Sequence, residues 1–198
     1  MKDSQIEEIR AAVRKRYDAA ALALRPQFSY PTGREGLLKL GYEEAFVDSL
    51  PASVADSFCG VGNPLLTGNV RPGETILDVG CGAGVDLIRL ASMTGPEGKV
   101  YGVDLTASMV DRASDNIRSM RIGNAWAEEA SAESLPFQDE TFDVVTSNGV
   151  LNLSPIKKEC LAEIRRVLKA GGRFYLADMI LEGEAGGESP CDLDAWSA

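Results

Sequence analysis

The stretch ILDVGCGAGVDLIRLASMTGPEGKVYGVDLT, residues 76–106, decides the fold. An apolar run ends at Val79, and a loop with glycines at three alternating positions leads into a helix-like segment. A second apolar run then ends at Asp104. Strand, glycine loop, helix and strand in this order are typical of the first unit of a parallel α/β sheet.

The same alternation continues toward the end of the chain. Its periodicity predicts five strands and three helices, namely strands Thr75–Val79, Lys99–Asp104, Ala125–Glu129, Phe142–Thr146 and Arg173–Met179, and helices Val85–Met93, Ala107–Met120 and Pro155–Leu168. The predicted fold class is α/β, a Rossmann-like, doubly wound, mostly parallel sheet. Ligands of such sheets bind at the carboxyl ends of the strands, where the strand order reverses.

The first 70 residues have a different pattern. Apolar side chains at spacings of three and four predict an amphipathic helix over Ser4–Leu24, with Ser4 as its cap. Prolines and glycines then interrupt the chain, and a short helical stretch is predicted near Glu43–Phe58. We expect a helical N-terminal cap over residues 1–70, followed by the ligand-binding domain over residues 71–198.

Composition narrows the function classes. The 198 residues carry a net charge of −10, which argues against a nucleic-acid partner, and they contain no histidine, the usual near-neutral general base. No apolar run reaches the length of a membrane span, and residues 1–12 lack a secretory core, so a cytoplasmic protein without membrane contact is expected. The four cysteines form no C-x-x-C pair and are expected to be reduced thiols.

The glycine loop and the acid after the second strand predict a nucleoside-containing cofactor. Glycines let the backbone approach a ligand closely, and a carboxylate at the place of Asp104 can accept the ribose hydroxyls. Asp78 stands two residues before the first glycine, where it would repel a pyrophosphate but attract an ammonium or a sulfonium. The loop also departs from the dinucleotide spacing G-x-G-x-x-G. S-adenosyl-L-methionine is therefore favoured over NAD.

Four segments, LDVGCGAG, GVDLTASMVDRA, SLPFQDETFDVV and RVLKAGGRFYLAD, make residues 42–181 resemble a class I S-adenosylmethionine-dependent methyltransferase. The resemblance implies cofactor contacts along the chain, from Gly80, Cys81, Gly82 and Gly84 at the methionine end, Asp104 and Leu105 at the ribose, Met109 nearby, Ala132 and Glu133 beside the adenine, and Asn148 beside the methyl group. Ser131 stands where the family has an acid in the adenine segment.

More narrowly, FCGVGNP and SNGVLNLSPIKKE resemble the bacterial arsenite methyltransferases. That resemblance implies three thiolates for trivalent arsenic, a soft ion that prefers sulfur. Cys59 matches the first, Gly149 replaces the second, and the third would follow the segment DAWSA, at which the sequence ends. Cys59 and Asn148 are thus the candidate catalytic residues, and no metal cofactor is expected.

Several alternatives remain open at this point. Arsenite(III) or a related species is the leading small-molecule acceptor, but Gly149 would also suit a larger organic acceptor such as a quinone precursor. A neutral hydroxyl acceptor would need Tyr30, Tyr42 or a carboxylate as the base. A cofactor-binding remnant without turnover and an NAD-dependent oxidoreductase are the other readings, the last the least favoured.

The family fold also has consequences for the ends of the chain. It adds two C-terminal strands for which the sequence has no room after Met179, so we expect five strands with an exposed edge, protected in a homodimer. The family's N-terminal helix acts as a lid. Residues 1–40, with 8 basic and 5 acidic side chains, would suit closure over an acidic body.

Overall fold

The computed structural model describes residues 1–22 and 28–180. Within them the chain forms seven α-helices and five strands, in the order α1 (Asp3–Leu22), α2 (Gly33–Lys39), α3 (Glu44–Ser49), α4 (Ala52–Ala55), β1 (Thr75–Val79), α5 (Val85–Thr94), β2 (Lys99–Asp104), α6 (Ala107–Ser119), β3 (Ala125–Glu129), β4 (Phe142–Asn148), α7 (Lys157–Val167) and β5 (Leu168–Ala177). A 3₁₀ turn over Leu151–Leu153 follows β4.

The strands form one parallel sheet in the order β3-β2-β1-β4-β5. The first strand along the chain, β1, is the central one. The next two strands extend the sheet to one edge, and β4 then pairs with the other side of β1. The order therefore reverses between β1 and β4, which places a ligand-binding crevice at the carboxyl ends of these strands. The predicted doubly wound sheet is confirmed.

Both faces of the sheet are covered. Ile76 belongs to a core formed with α2–α5, whereas its neighbours Leu77 and Val79 face a second core with α7. Since successive side chains of a strand point to opposite faces, Ile76 and Leu77 are buried on the two sides of the sheet, and β1 is buried from Ile76 to Val79. This continuous burial fixes the sheet beneath the glycine loop.

The last strand begins earlier than the sequence pattern predicts. Instead of spanning Arg173–Met179, β5 starts at Leu168, directly after α7, and ends at Ala177. Its pairing with β4 shifts register between Phe142 and Val144, and Gly171, at φ 76°, lies in the irregular part. Glycine permits such a bulge, which a pattern of alternating side chains does not reveal.

The N-terminal residues form helices, as expected, but with different bounds. The first helix runs over Asp3–Leu22, so Ser4 lies inside it and is not its cap, and residues 23 and 24 of the prediction lie outside the described residues. The segment around Pro31 and Gly33, taken as irregular, contains α2. The single helical stretch predicted over Glu43–Phe58 is two short helices, α3 and α4. A domain boundary at residue 70 stays a prediction.

Two other expectations concern the surface. β5 pairs only with β4 among the described residues, so it forms an edge of the sheet there, with Leu176 partly exposed. No helix in the described ranges is long and apolar enough to cross a membrane. The segment from residue 181 onward, with Cys191, lies outside the described residues.

The buried centre of β1 yields a stability prediction. Leu77→Ala should lower the free energy of unfolding by about 2–5 kcal/mol, because it leaves a cavity between the sheet and α7. Leu66→Ala is the matched control, since Leu66 is 67% exposed, and it should change the value by less than about 0.5 kcal/mol. Urea unfolding measures both; equal losses would contradict the packing described here.

Candidate functional site

A cleft lies at the carboxyl ends of β1, β2 and β4, where the strand order reverses. Its empty space of about 1020 Å³ includes volume that is open to solvent. A concave site at the switch point of an α/β sheet is a preferred place for a small-molecule or cofactor ligand. Its walls come from the glycine loop, the ends of β2 and β4, the segment after β3, helix α1 and the loop before β1.

Nine of the twelve predicted site residues line this cleft, namely Cys59, Gly80, Cys81, Gly82, Asp104, Leu105, Ala132, Glu133 and Asn148. The other three, Asp78, Gly84 and Met109, do not line it. Met109 is buried with Ala20, Ala21 and Ala83, behind the wall. The cofactor-binding role of eleven of them and the catalytic role of Cys59 and Asn148 stay predictions, but the structure brings most of the twelve to one place.

Each of the three loop positions is a glycine for a different physical reason. Gly80 has φ 74°, and a Cβ there would approach Val150 Cγ2 to 2.0 Å, so packing within the protein excludes a side chain. A Cβ on Gly84 would lie 3.1 Å from Ala113, where α5 meets α6. A Cβ on Gly82 would meet no protein atom within 4 Å. Gly80 and Gly82 both line the cleft, and Gly82, at φ 50°, is the one of the three where a Cβ would project into open space.

Asp104 ends β2 and lies at the cleft. Its carboxylate accepts the backbone N–H of Gly82 at 2.9 Å and that of Thr106 at 3.0 Å. Burial raises the pKa of Asp104, and these N–H groups oppose the rise. The carboxylate is thus held in a fixed orientation beside the glycine loop, where it can accept the hydroxyls of a ribose.

Asp78 occupies a buried position beneath the cleft rather than its wall. Its carboxylate accepts the hydroxyl of Thr146 at 2.7 Å. Burial and the nearby charge of Asp86 raise the pKa of Asp78 to about 8. At neutral pH this group is therefore largely protonated, and the electrostatic role predicted for it at the ligand is weakened.

Asp86 is a further carboxylate that lines the cleft, unlike Asp78, and the sequence analysis did not identify it. Asp86, in the first turn of α5, accepts the hydroxyl of Tyr42 at 2.7 Å and the side-chain amide of Asn148 at 3.1 Å. Burial raises its pKa, and both hydrogen bonds oppose that rise. The available signal was an acid in an otherwise apolar helix start, AGVDL.

Both polar atoms of the Asn148 side chain form hydrogen bonds within the protein. Its Oδ1 accepts the backbone N–H groups of Val61 and Gly62, both at 3.0 Å. Its Nδ2 donates to the Gly62 carbonyl at 2.9 Å as well as to Asp86. Asn148 lines the cleft, but its amide is committed to joining β4, α5 and the loop before β1.

Cys59 lines the cleft on the side of α1, packed with Tyr17 and Ala83. Burial, and next the charge of Asp104, raise the pKa of its thiol to about 12, so the thiol is neutral at physiological pH. Cys81 is buried, and burial also raises its pKa. Cys59, Cys81 and Cys160 are free thiols, as expected for the cysteines that the structure describes.

Gly149 also lines the cleft, at the end of β4. Its φ is 73°, and a Cβ there would come within 3.1 Å and 3.2 Å of the two methyl groups of Val61. A side chain at this position would be strained and crowded. The glycine is therefore explained by backbone conformation and by packing against the loop before β1.

Helix α1 closes one side of the cleft with Arg10, Val13 and Tyr17. Arg10 forms an ion pair with Glu133, whose side chain is only 7% exposed, and the other Glu133 oxygen accepts the Ser154 hydroxyl at 2.6 Å. Ser108 and Arg112 of α6 also bond to α1, through Asp18 at 2.5 Å and the Ala21 carbonyl at 2.6 Å. The sequence did not reveal Arg10 or Ser154, since both contacts are long-range.

Comparison with known proteins agrees with this geometry. A family model described as "Methyltransferase domain" matches residues 71–193. The chain belongs to the class I S-adenosylmethionine-dependent methyltransferases. The cofactor of the family is S-adenosylmethionine. The open backbone at Gly82 and the oriented carboxylate of Asp104 fit its nucleoside, and the acidic cleft fits its positively charged sulfur.

The names of individual relatives state different substrates. An arsenite methyltransferase of Halobacterium salinarum is 36% identical over 194 residues, covering 90% of this chain and 49% of the relative. A demethylmenaquinone methyltransferase of Geobacillus kaustophilus is 38% identical over 104 residues, 52% of this chain and 44% of the relative. The chain thus spans about half the length of these curated relatives or less.

A solved structure shows the same fold. The crystal structure of an arsenic(III) S-adenosylmethionine methyltransferase from Chlamydomonas reinhardtii has a TM-score of 0.61 and 33% identity, covering 68% of this chain and 47% of that chain. A methyltransferase from Aquifex aeolicus gives 0.55 and 29%, with 62% and 65% covered. These comparisons leave the prediction of an NAD-dependent oxidoreductase without support.

The raised pKa of Asp78 predicts a pH dependence of stability. Between its ordinary value of 3.8 and the folded value of about 8, the folded state binds more protons than the unfolded state. Stability must therefore fall as pH rises through this window. Asp78→Asn removes the titrating group, so the free energy of unfolding should decrease less between about pH 5 and about pH 8.

Asp143→Asn is the control for that experiment. Asp143 is partly buried, but Lys169 lowers its pKa. Its contribution to the free energy of unfolding therefore changes only at pH values below the ordinary carboxylate pKa. This variant should shift stability equally across the window. An unchanged slope in Asp78→Asn would show that Asp78 is ionised in the folded protein.

The Arg10–Glu133 pair predicts how firmly α1 is held. Glu133→Gln removes the charge that holds the guanidinium, so amide hydrogen exchange in α1 should become faster by about tenfold. Glu7→Gln is the matched control, because Glu7 pairs with the same Arg10 on the exposed helix surface, where such pairs contribute little. Equal exchange in both variants would contradict the role given to Glu133.

Proposed function

We propose that this chain carries out S-adenosylmethionine-dependent methyl transfer to a small molecule. The observation that carries the proposal is the cleft at the strand reversal, where the open backbone of Gly82 and the oriented carboxylate of Asp104 lie together. The match to the methyltransferase family supports it. Since the chain spans only about half of its curated relatives, turnover itself belongs to the proposal.

The residues of the cleft supply binding and orientation. When bound, S-adenosylmethionine supplies an electrophilic methyl group. Asp104 and the glycine loop fix the nucleoside, and the end of β4 forms the neighbouring wall toward which an acceptor would be directed. Alignment of an acceptor with the methyl group can provide much of the rate enhancement, so a histidine base is not required for an acceptor that is already nucleophilic.

Arsenite is the first candidate acceptor. The similarity to an arsenite methyltransferase over 90% of this chain and the position of Cys59 in the cleft support it. Its weakness is the number of thiols: a glycine stands at position 149, and Cys191 lies outside the described residues. The neutral state of Cys59 requires that arsenic displace the proton on binding.

An organic acceptor is the second candidate. Gly149 gives such an acceptor no extra room, because the methyl groups of Val61 occupy the space into which a side chain at this position would project. Similarity to demethylmenaquinone methyltransferases makes a quinone precursor the natural first test. Tyr30 is a poor base for it, because burial raises the pKa of its hydroxyl far above neutrality, and that hydroxyl donates to the Cys59 carbonyl.

A cysteine variant separates the two acceptors. If arsenite is the acceptor, Cys59→Ala should reduce arsenite methylation by at least about a hundredfold, because a thiolate ligand is lost. Cys160→Ala is the matched control, since Cys160 lies on α7, is fully buried in the core between that helix and the sheet, and does not line the cleft. Methylated products are measured by mass spectrometry after incubation with S-adenosylmethionine and either arsenite or demethylmenaquinone.

Each outcome of that assay has a meaning. Arsenite turnover that survives Cys59→Ala would overturn the role of the thiol. Turnover of the quinone alone would identify the organic acceptor, and cofactor binding without any product would favour a remnant that lost catalysis. Cytoplasmic location, a homodimer and the exclusion of nucleic acid stay predictions of the sequence.

A further inference from the structure

Asp86 differs from the other carboxylates that line the cleft. Glu133 is paired with Arg10, and Asp104 accepts two backbone N–H groups. Asp86 has no ion pair with a basic side chain in the part of the chain that the structure describes. Its oxygens instead accept hydrogen bonds from the neutral groups of Tyr42 and Asn148, which orient the carboxylate without neutralising its charge.

The charged groups around Asp86 come from three elements and one loop. Asp78 on β1 lies close enough to interact electrostatically, and Asp104 on β2 acts in turn on Asp78. Arg89 on the same helix as Asp86 favours its ionised form. However, the Arg89 guanidinium is shared, because it donates to both oxygens of Glu43 at 2.8–2.9 Å and to Asn63 and lies 4.9 Å from the Tyr42 ring.

The two buried carboxylates, Asp78 and Asp86, therefore destabilise the folded protein when both are ionised. Two like charges in a low-dielectric site repel each other, so the pair is most stable when one of the two groups keeps a proton. Asp78, which hydrogen-bonds to Thr146 away from the cleft wall, is the member with the pKa raised to about 8. A positive charge entering the cleft would reduce the repulsion and favour release of that proton.

The position of Asp86 indicates which part of a cofactor it would face. Asp104 at the end of β2 suits the ribose, and Ala132 and Glu133, after β3, lie farther along the same edge. The rest of the cofactor must then extend in the opposite direction, across β1 toward β4. Asp86 and Asn148 form the wall there.

Resting on the proposed function, we infer that Asp86 is the carboxylate beside the sulfonium, and that it selects S-adenosylmethionine over S-adenosylhomocysteine. The two ligands share the nucleoside, the ammonium and the carboxylate, and they differ in the methyl group and the positive charge on sulfur. The Asp78–Asp86 pair releases its proton to solvent when the charged ligand binds and takes one up from solvent when the neutral product occupies the site. The site thereby favours cofactor over product.

The decisive experiment compares the two ligands by isothermal titration calorimetry on wild type, Asp86→Asn and Asp104→Asn. Asp86→Asn should lower the affinity for S-adenosylmethionine by at least about tenfold more than that for S-adenosylhomocysteine, because only the former loses a charge–charge attraction. Asp104→Asn removes the same charge from the same cleft but should weaken both ligands equally, since both carry the ribose.

A second variant keeps the test valid if Asp86→Asn does not fold. Tyr42→Phe removes one hydrogen bond to the Asp86 carboxylate while keeping the ring, so the pH at which S-adenosylmethionine gains its advantage should move upward. Titration in buffers of different ionisation enthalpy should show about one proton released on binding of S-adenosylmethionine near neutral pH, and none with S-adenosylhomocysteine.

The outcomes separate the inference from the proposed function. If wild type binds neither ligand, the proposed function fails. If it binds both, but Asp86→Asn weakens them equally or not at all, or the pH profile of Tyr42→Phe matches wild type, Asp86 does not read the charge on sulfur and the inference alone is overturned.

Discussion

The side-chain amide of Asn148 is the interaction on which the cleft depends. It joins the end of a central strand, the first turn of α5 and the loop before β1, three parts that are far apart in the sequence. A partly buried amide with its hydrogen bonds satisfied costs little, whereas the same group with missing partners would be destabilising. The loop before β1 is therefore held against the sheet, and Cys59 and Gly60 are placed at the cleft with it.

The second constraint is the burial of acid at the bottom of the cleft. A methyltransferase of this family must hold a positively charged sulfur, yet several carboxylates close together oppose folding in its absence. The structure distributes this cost. Asp104 is compensated by backbone N–H groups, Glu133 by Arg10, and Asp78 by keeping its proton. Asp86, oriented by neutral donors, remains available to a ligand.

Much of this could be predicted from the sequence, because the fold is encoded locally. The apolar runs gave the strands, and the acid at the end of β2 gave Asp104. The predictions were wrong or incomplete where the structure depends on contacts between residues that are far apart in the sequence. Asp86 is buried by Tyr42 and Asn148, which lie 44 and 62 residues away, and the start of β5 depends on a bulge against β4. Helix α2 begins at Gly33, whose N–H donates to the Phe58 carbonyl at 2.7 Å, a contact that no local pattern shows.

The contact between Val61 and Gly149 has an evolutionary consequence. The methyl groups of Val61 fill the space into which any side chain at position 149 would project. The two positions, 88 residues apart in the chain, are therefore expected to vary together. A thiol or a larger group at 149 would require Val61 to move by a few tenths of an ångström or to be replaced by a smaller residue, so the shape of this part of the cleft depends on a pair of residues rather than on one.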